Sequence, residues 1–279
     1  MSCHFRTFSF VDRITSIQPG GRVRGVYHVP EGLTDFSGSL VAEATGQLAA
    51  WSAMAAVDFK SRPVAGIAGL VEMLAPIRPG QTLELAAEIE SVDADAISYY
   101  GEASASGSPV IRLHNCVGPM LPVEDFDDTQ AVRDRYALLC GAGATPGAFP
   151  GLPDLALEQL VVETGKSAQA RLRIPPDAPF FADHFPRKPV FPGSLLMQMN
   201  LRLVGELAAQ MPRNGQALAG WKLNSVSDMK LRTFIPPGEL LELTVKTVTN
   251  DGTTAEVSVE SRRGTRLVGA ARVALSAAN

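Results

Sequence analysis

The chain repeats itself. Phe36-Ser37-Gly38-Ser39-Leu40-Val41-Ala42-Glu43 lines up with Phe191-Pro192-Gly193-Ser194-Leu195-Leu196-Met197-Gln198 at an offset of 155 residues. Pro79-Gly80-Gln81-Thr82-Leu83-Glu84-Leu85 lines up with Pro237-Gly238-Glu239-Leu240-Leu241-Glu242-Leu243 at an offset of 158, and the stretch 20–30 with 165–175 at 145. A repeat of this length means that one fold is built twice, which excludes most single-domain architectures. The drop from 155 to 145 places a gap of about ten residues in the first copy between Pro30 and Phe36. At 279 residues the chain has the length of two average domains. The expected division is 1–121, a linker 122–151, and 152–279.

Within each copy the pattern is a strand or two, a long apolar helix and then four strands. The first helix spans about Gly38 to Val57, the second Leu195 to Met211, and both are apolar on nearly all faces, as buried helices are. Alternating runs at 64–74, 82–92, 97–105 and 110–121 read as strands in the first copy, and those at 217–231, 240–249, 254–261 and 266–275 in the second. Asn250-Asp251-Gly252 is a strong hairpin turn, and Arg262-Arg263-Gly264-Thr265-Arg266 reads as a solvated one. A helix without a polar face, followed by a meander of strands, is satisfied if a curved antiparallel sheet wraps around it, so the expected class is α+β. The linker opens with Glu124, Asp125, Asp127 and Asp128, ends rich in Gly, Ala and Pro, and holds a candidate short helix at 129–139. It is expected to cross the surface.

The gap in the first copy falls against the loop that carries His184, in the stretch Asp183-His184-Phe185-Pro186-Arg187-Lys188-Pro189-Val190-Phe191-Pro192-Gly193-Ser194. Its three prolines fix φ and push the residue before each one out of the α region, giving a stiff loop that presents His184 in a set direction. Gly193 then opens the second helix. Without a Cβ it lets a ligand approach the backbone, and first-turn N–H groups have no intrahelical acceptors, which makes a site for a developing oxyanion. A base beside such a site suits enolate chemistry. On its own a histidine in a proline-rich loop has a sufficient structural explanation, and Gln47 in an Ala-rich helix needs no function. The combination of loop, gap and glycine-started helix carries the functional reading.

That loop resembles the active-site segment of the hot-dog-fold 3-hydroxyacyl-(acyl carrier protein) dehydratases, whose pattern is H-F-P-x-x-P-x-x-P-G followed by a helix bearing Glu or Asp. The resemblance implies a tandem, double hot-dog arrangement, with the histidine from one unit and the carboxylate from its mate. The carboxylate position falls here on Gln198, a departure from the pattern. The first copy supplies the missing group, because Glu43 occupies the position matching Gln198, and Glu43-Ala44-Thr45-Gly46-Gln47 resembles the family helix in which a Gln one turn later holds the acid. One composite site per chain is therefore expected: His184 as base, Glu43 as acid, the Gly193 N–H and Gln47 binding or orienting. The mirror-image site, with Gln198 and no histidine loop, is expected to be dead.

The remaining features mostly exclude. A net charge of −4 argues against a nucleic-acid partner. Cys3, Cys116 and Cys140 fit neither a disulfide framework nor a zinc site, and His4, His28 and His114 are scattered, so no cofactor or metal is expected. No apolar run has membrane-spanning length and residues 1–6 form no signal-peptide core, so the expectation is a soluble cytoplasmic protein. The resemblance implies an acyl carrier protein or acyl-CoA as partner and leaves room for a homo-oligomer; Arg187 and Lys188 read most simply as solvated, although a positive rim there would suit an acidic carrier protein. Two other readings stay open at this level: a hot-dog thioesterase, and a catalytically silent partner subunit.

Overall fold

A computed structural model describes residues 4–212 and 220–278. The first copy contributes β1 (Arg13–Ile17), β2 (Arg22–His28), α1 (Gly38–Ala56), β3 (Ser61–Pro63), β4 (Ile67–Met73), β5 (Thr82–Val92), β6 (Ala96–Ala105) and β7 (Ser108–Pro122). After α2 (Thr129–Cys140) come β8 (Leu157–Glu163), β9 (Ser167–Arg173), α3 (Gly193–Ala208), β10 (Trp221–Leu231), β11 (Leu240–Asn250), β12 (Thr254–Arg263) and β13 (Arg266–Ala277).

The strands form one antiparallel sheet in the order β1-β2-β5-β6-β7-β4-β10-β13-β12-β11-β9-β8, with β3 beside β7. Read from its middle outward, the order is the same in both directions once each strand is replaced by its repeat. The central pair is β4 with β10, and Val71 lies opposite Val226. Those two residues are 155 apart, the helix offset of the repeat, so a pseudo-two-fold axis passes through this pair. Each copy is a hot dog and the chain is a double one.

Alternation decides which face each strand buries. Leu83, Leu85, Ala87 and Ile89 of β5 point inward, as do Leu241, Leu243 and Val245 of β11. The first set packs on α1 and the second on α3, and the two helices lie against each other. Ser37 caps α1, its Oγ accepting from Leu40 N at 3.4 Å. Gly80 and Gly238 occupy matching turns at φ +83° and +79°, a conformation that costs glycine nothing and explains why Pro-Gly recurs there.

Several boundaries differ from the expected ones. The run expected at 64–74 is a strand only over Ile67–Met73, β4, which lies between β7 and β10 and forms the seam, while the short β3 ahead of it ends at Pro63 on β7. The strand expected from Ala217 starts at Trp221, Ala217 lying outside the described residues. The second helix ends at Ala208 rather than Met211, and its exposed Arg202, Gly205 and Glu206 give it a solvent face that α1 lacks over most of its length. The connection between copies is more than a surface crossing. Phe126, Val132, Leu139 and Phe149 are buried in it, and the Phe149 ring stands edge-on to Phe10 at 5.0 Å.

Candidate active site

The proline-rich loop is closed on itself before it meets anything else. Phe180 O accepts from both Asp183 N (3.2 Å) and His184 N (2.9 Å), and Val190 N donates to His184 O at 3.0 Å. The His184 ring completes the closure, Nδ1 lying 2.9 Å from Val190 O. A carbonyl only accepts, so Nδ1 carries the hydrogen and Nε2 is left as the basic nitrogen. Phe185 stacks on the imidazole at 4.2 Å and Phe8 meets it edge-on at 5.7 Å. Burial among these rings is the largest influence on the imidazole and holds its pKa below the usual 6.5, against the opposite pull that the Glu43 carboxyl exerts when ionised. An imidazole in this state is unprotonated at neutral pH.

His184, Glu43, Gln47 and Gly193 all line one cavity of about 570 Å³, so residues drawn from opposite copies meet there. Glu43 stands in the second turn of α1, which removes a simple helix-dipole explanation for it. Gln47 Nε2 donates to Glu43 Oε1 at 3.0 Å and to Phe8 O at 3.0 Å, while its Oε1 accepts from Phe10 N at 2.8 Å. The side-chain amide is thus fully engaged by the protein. Gln47 orients the carboxyl and has no free group for substrate, which narrows the binding role expected of it. Gly193 begins α3 behind Pro192, and no side chain caps that helix. Gly193 and Ser194 of its first turn line the cavity, and a Cβ at Gly193 would stand 2.2 Å from Leu231 Cδ1.

Three cavity residues were not anticipated. Arg62 of β3 lies 4.0 Å over the Phe185 ring and 3.6 Å from the buried Asp127 carboxylate, and burial pushes it down to about 10, still cationic at neutral pH. Its charge also reaches His184 and helps to keep the ring neutral. Ser194 Oγ is buried with no hydrogen-bond partner among the described residues. The Tyr99 phenol beside Cys116 is held well above its usual range by burial, and that thiol is pushed up to about 11, so neither ionises near neutrality. The sequence signal for Arg62 and Tyr99 was absent, since each is one polar residue in an ordinary strand.

The mirror-image position is closed by the chain itself. Ser37 Oγ donates to Gln198 Oε1 at 3.1 Å while capping α1. Arg202, the repeat of Gln47, donates to Leu155 O at 2.6 Å, and the Phe149 ring stands edge-on to Phe36 at 6.3 Å, just before the start of α1. Gln198→Ala therefore costs about 1 kcal/mol of stability through one neutral hydrogen bond and leaves turnover unchanged, a result that thermal melts and steady-state rates will check together. A rate loss matching that of a His184 variant would show that the expected acid, Glu43, is assigned to the wrong copy.

Other expected surface features are as follows. Arg187 and Lys188 are exposed yet tethered: Arg187 bonds Glu124 O (3.1 Å) and Asp128 (3.2 Å), and Lys188 lies over Phe126 and Phe234. Their charge pins the loop to the linker. His28 Nδ1 meets Thr82 Oγ1 at 3.1 Å on the strand surface. Among the described residues no helix is long and apolar enough to cross a membrane.

Comparison with known proteins fits this geometry. The family described as ApeI-like, ApeI dehydratase, matches residues 161–269, which include the histidine loop and α3. A 3-hydroxyacyl-[acyl-carrier-protein] dehydratase FabZ of Streptococcus suis is 30% identical over 115 residues, spanning 41% of this chain and 81% of the relative. Among solved structures, one assigned to an oleoyl thioesterase of Lactobacillus plantarum superimposes with a TM-score of 0.61 at 7% identity, covering 94% of this chain and 100% of the other. A MaoC-like dehydratase does so with a TM-score of 0.50 at 14% identity, covering 92% and 98%. At such identities the structural matches speak for the fold alone.

Proposed function

Since this chain belongs to the hot-dog-fold 3-hydroxyacyl-(acyl-carrier-protein) dehydratase family, we propose that it eliminates water from 3-hydroxyacyl thioesters to give trans-2-enoyl thioesters, at one composite site. The observation that carries the reading is the meeting of His184 from one copy with Glu43 and Gln47 from the other in one cavity. His184 Nε2 takes the α-proton, and the electrons moving onto the thioester oxygen are met by the Gly193 N–H at the uncapped N-terminus of α3. Breaking the C3–O bond releases the hydroxyl, which leaves as water with the proton of Glu43. Because Gln47 donates to Oε1, Oε2 is the oxygen that carries this proton. The site resets when the imidazolium proton returns to the carboxylate.

A carrier protein or coenzyme A presents the thioester in this reading, and the carrier is favoured by the family. The activity is tested by following enoyl-thioester absorbance with 3-hydroxyacyl chains on either carrier. Hydrolysis of the thioester without an enoyl product would replace dehydration by the thioesterase reading, and no reaction of any kind would favour the silent subunit. The pH dependence follows from the base. A histidine whose pKa is depressed works above that pKa and fails as pH falls through it, so the acid limb of kcat/KM has its midpoint below 6.5. The same sign holds for folding: the unfolded chain binds this proton more readily, so the contribution of the buried neutral ring is complete above 6.5 and declines toward the lower folded pKa.

A further inference from the structure

Asp183 precedes the catalytic loop, yet its carboxylate is taken up by the other copy. Oδ2 accepts from Thr7 N and Phe8 N, both at 2.7 Å, and from Ser9 Oγ at 3.4 Å, while Phe5 N donates to Oδ1. Thr7 Oγ1 adds a bond of 2.7 Å to Pro179 O. No Asp–His dyad is formed, because the His184 Nδ1–H goes to Val190 O. Asp183 borders the cavity, but both its oxygens are occupied, and the charge of Arg135 faces it from α2.

The strap 5–10 seated in this way touches the His184 ring directly and reaches Glu43 through Gln47. The Phe8 ring stands edge-on to His184, Phe8 O receives Gln47 Nε2, and Phe10 N binds Gln47 Oε1. Gln47 in turn holds Glu43. A continuous path of hydrogen bonds thus runs from the residue beside the base, through the strap, to the acid on α1.

We propose that Asp183 is a positioning residue, which acts through the strap 5–10 to set the Glu43 carboxyl against the His184 ring. Its role in rate rests on the dehydration reading above, whereas the strap linkage itself does not. Without the carboxylate the strap loses its anchor in the second copy, Gln47 loses fixed partners, and acid and base no longer share one frame. Misplacement on the scale of an ångström is enough to cost about 100-fold in rate.

The test uses the full chain with Asp183→Asn, Gln47→Ala and the double variant. Asparagine keeps the shape but sets a donor against one of the N–H groups. Each single variant is expected to lower kcat by about tenfold or more with KM changed by less than about threefold, and the double to resemble the worse single, since both break one path. Amide hydrogen exchange supplies a readout independent of activity: Asp183→Asn deprotects Phe10, and Gln47→Ala deprotects Thr7 and Phe8. Wild-type kcat in folded Asp183→Asn, multiplying effects, a loss confined to KM, or undisturbed exchange would each overturn the proposal. Should Asp183→Asn fail to fold, Thr7→Val removes only the bond to Pro179; a severalfold fall in kcat is expected there, and an unchanged kcat overturns the proposal equally. If the parent enzyme performs no dehydration, that reading fails while the exchange experiment still decides the strap.

Discussion

His184→Ala and Glu43→Gln each lower turnover of a 3-hydroxyacyl thioester by on the order of 100-fold or more, the usual worth of a positioned acid or base, and the double variant is little worse than either. A 100-fold loss corresponds to about 2.7 kcal/mol of transition-state stabilisation. Non-additivity is the diagnostic part. In the proposed reaction, removing the base stops α-proton abstraction, after which the acid has no departing hydroxyl to protonate, so its further loss changes little. Glutamine at 43 keeps the size of the side chain and its contact with Gln47 while withholding the proton. Steady-state rates for the four proteins, with circular dichroism to verify folding, give the answer. Effects that multiply would mean separate roles, and full activity in Glu43→Gln would end the composite-site reading.

A methyl group at Gly193 is expected to lower kcat by on the order of tenfold to 100-fold, consistent with disturbing one oxyanion donor. The added Cβ would stand 2.2 Å from Leu231 Cδ1, so either the leucine moves or the first turn of α3 does. Leu231 ends β10 and is only partly buried, so a cavity-making change there is tolerable. Gly193→Ala combined with Leu231→Ala should therefore recover much of the rate. Recovery shows that the loss came from displacement of the helix terminus. Wild-type activity in Gly193→Ala alone would remove this N–H from the mechanism.

The sequence made the symmetric part of the fold readable because duplication writes each structural decision twice. The 155-residue offset marks the α1 and α3 starts, and Phe36 and Phe191 are held alike before them, Phe36 bridging Ile77 and Phe191 N donating to Ile235 O. The asymmetry that brings His184 and Glu43 to one cavity was also visible, since a deleted loop and a Glu matched to a Gln are differences against a copy of the same chain. What stayed hidden has no counterpart in the other copy and no local pattern. Arg62 gains its place only when the short β3 pairs with β7 and the loop brings Phe185 over it. The strap 5–10 reads as an aromatic N-terminal tail, and its partner is 172 to 178 residues away. Phe149 lies in a Gly- and Pro-rich stretch that composition assigns to the surface, although aromatic burial against Phe10 and Phe36 decides otherwise.

The seam at Val71 and Val226 joins the copies within one polypeptide, and this changes how the molecule responds to random mutation. In a dimer of identical chains every substitution is made on both sides of the axis, so a change that plugs one site plugs both. Here each substitution is made once. Scanning mutagenesis scored for activity should therefore give a lopsided map: Gln198, Arg202 and Ser37 tolerate replacement within the limits of folding, while Glu43, Gln47 and Pro192, which occupy the matching places, do not. The axis that relates these residues in space does not relate their fates.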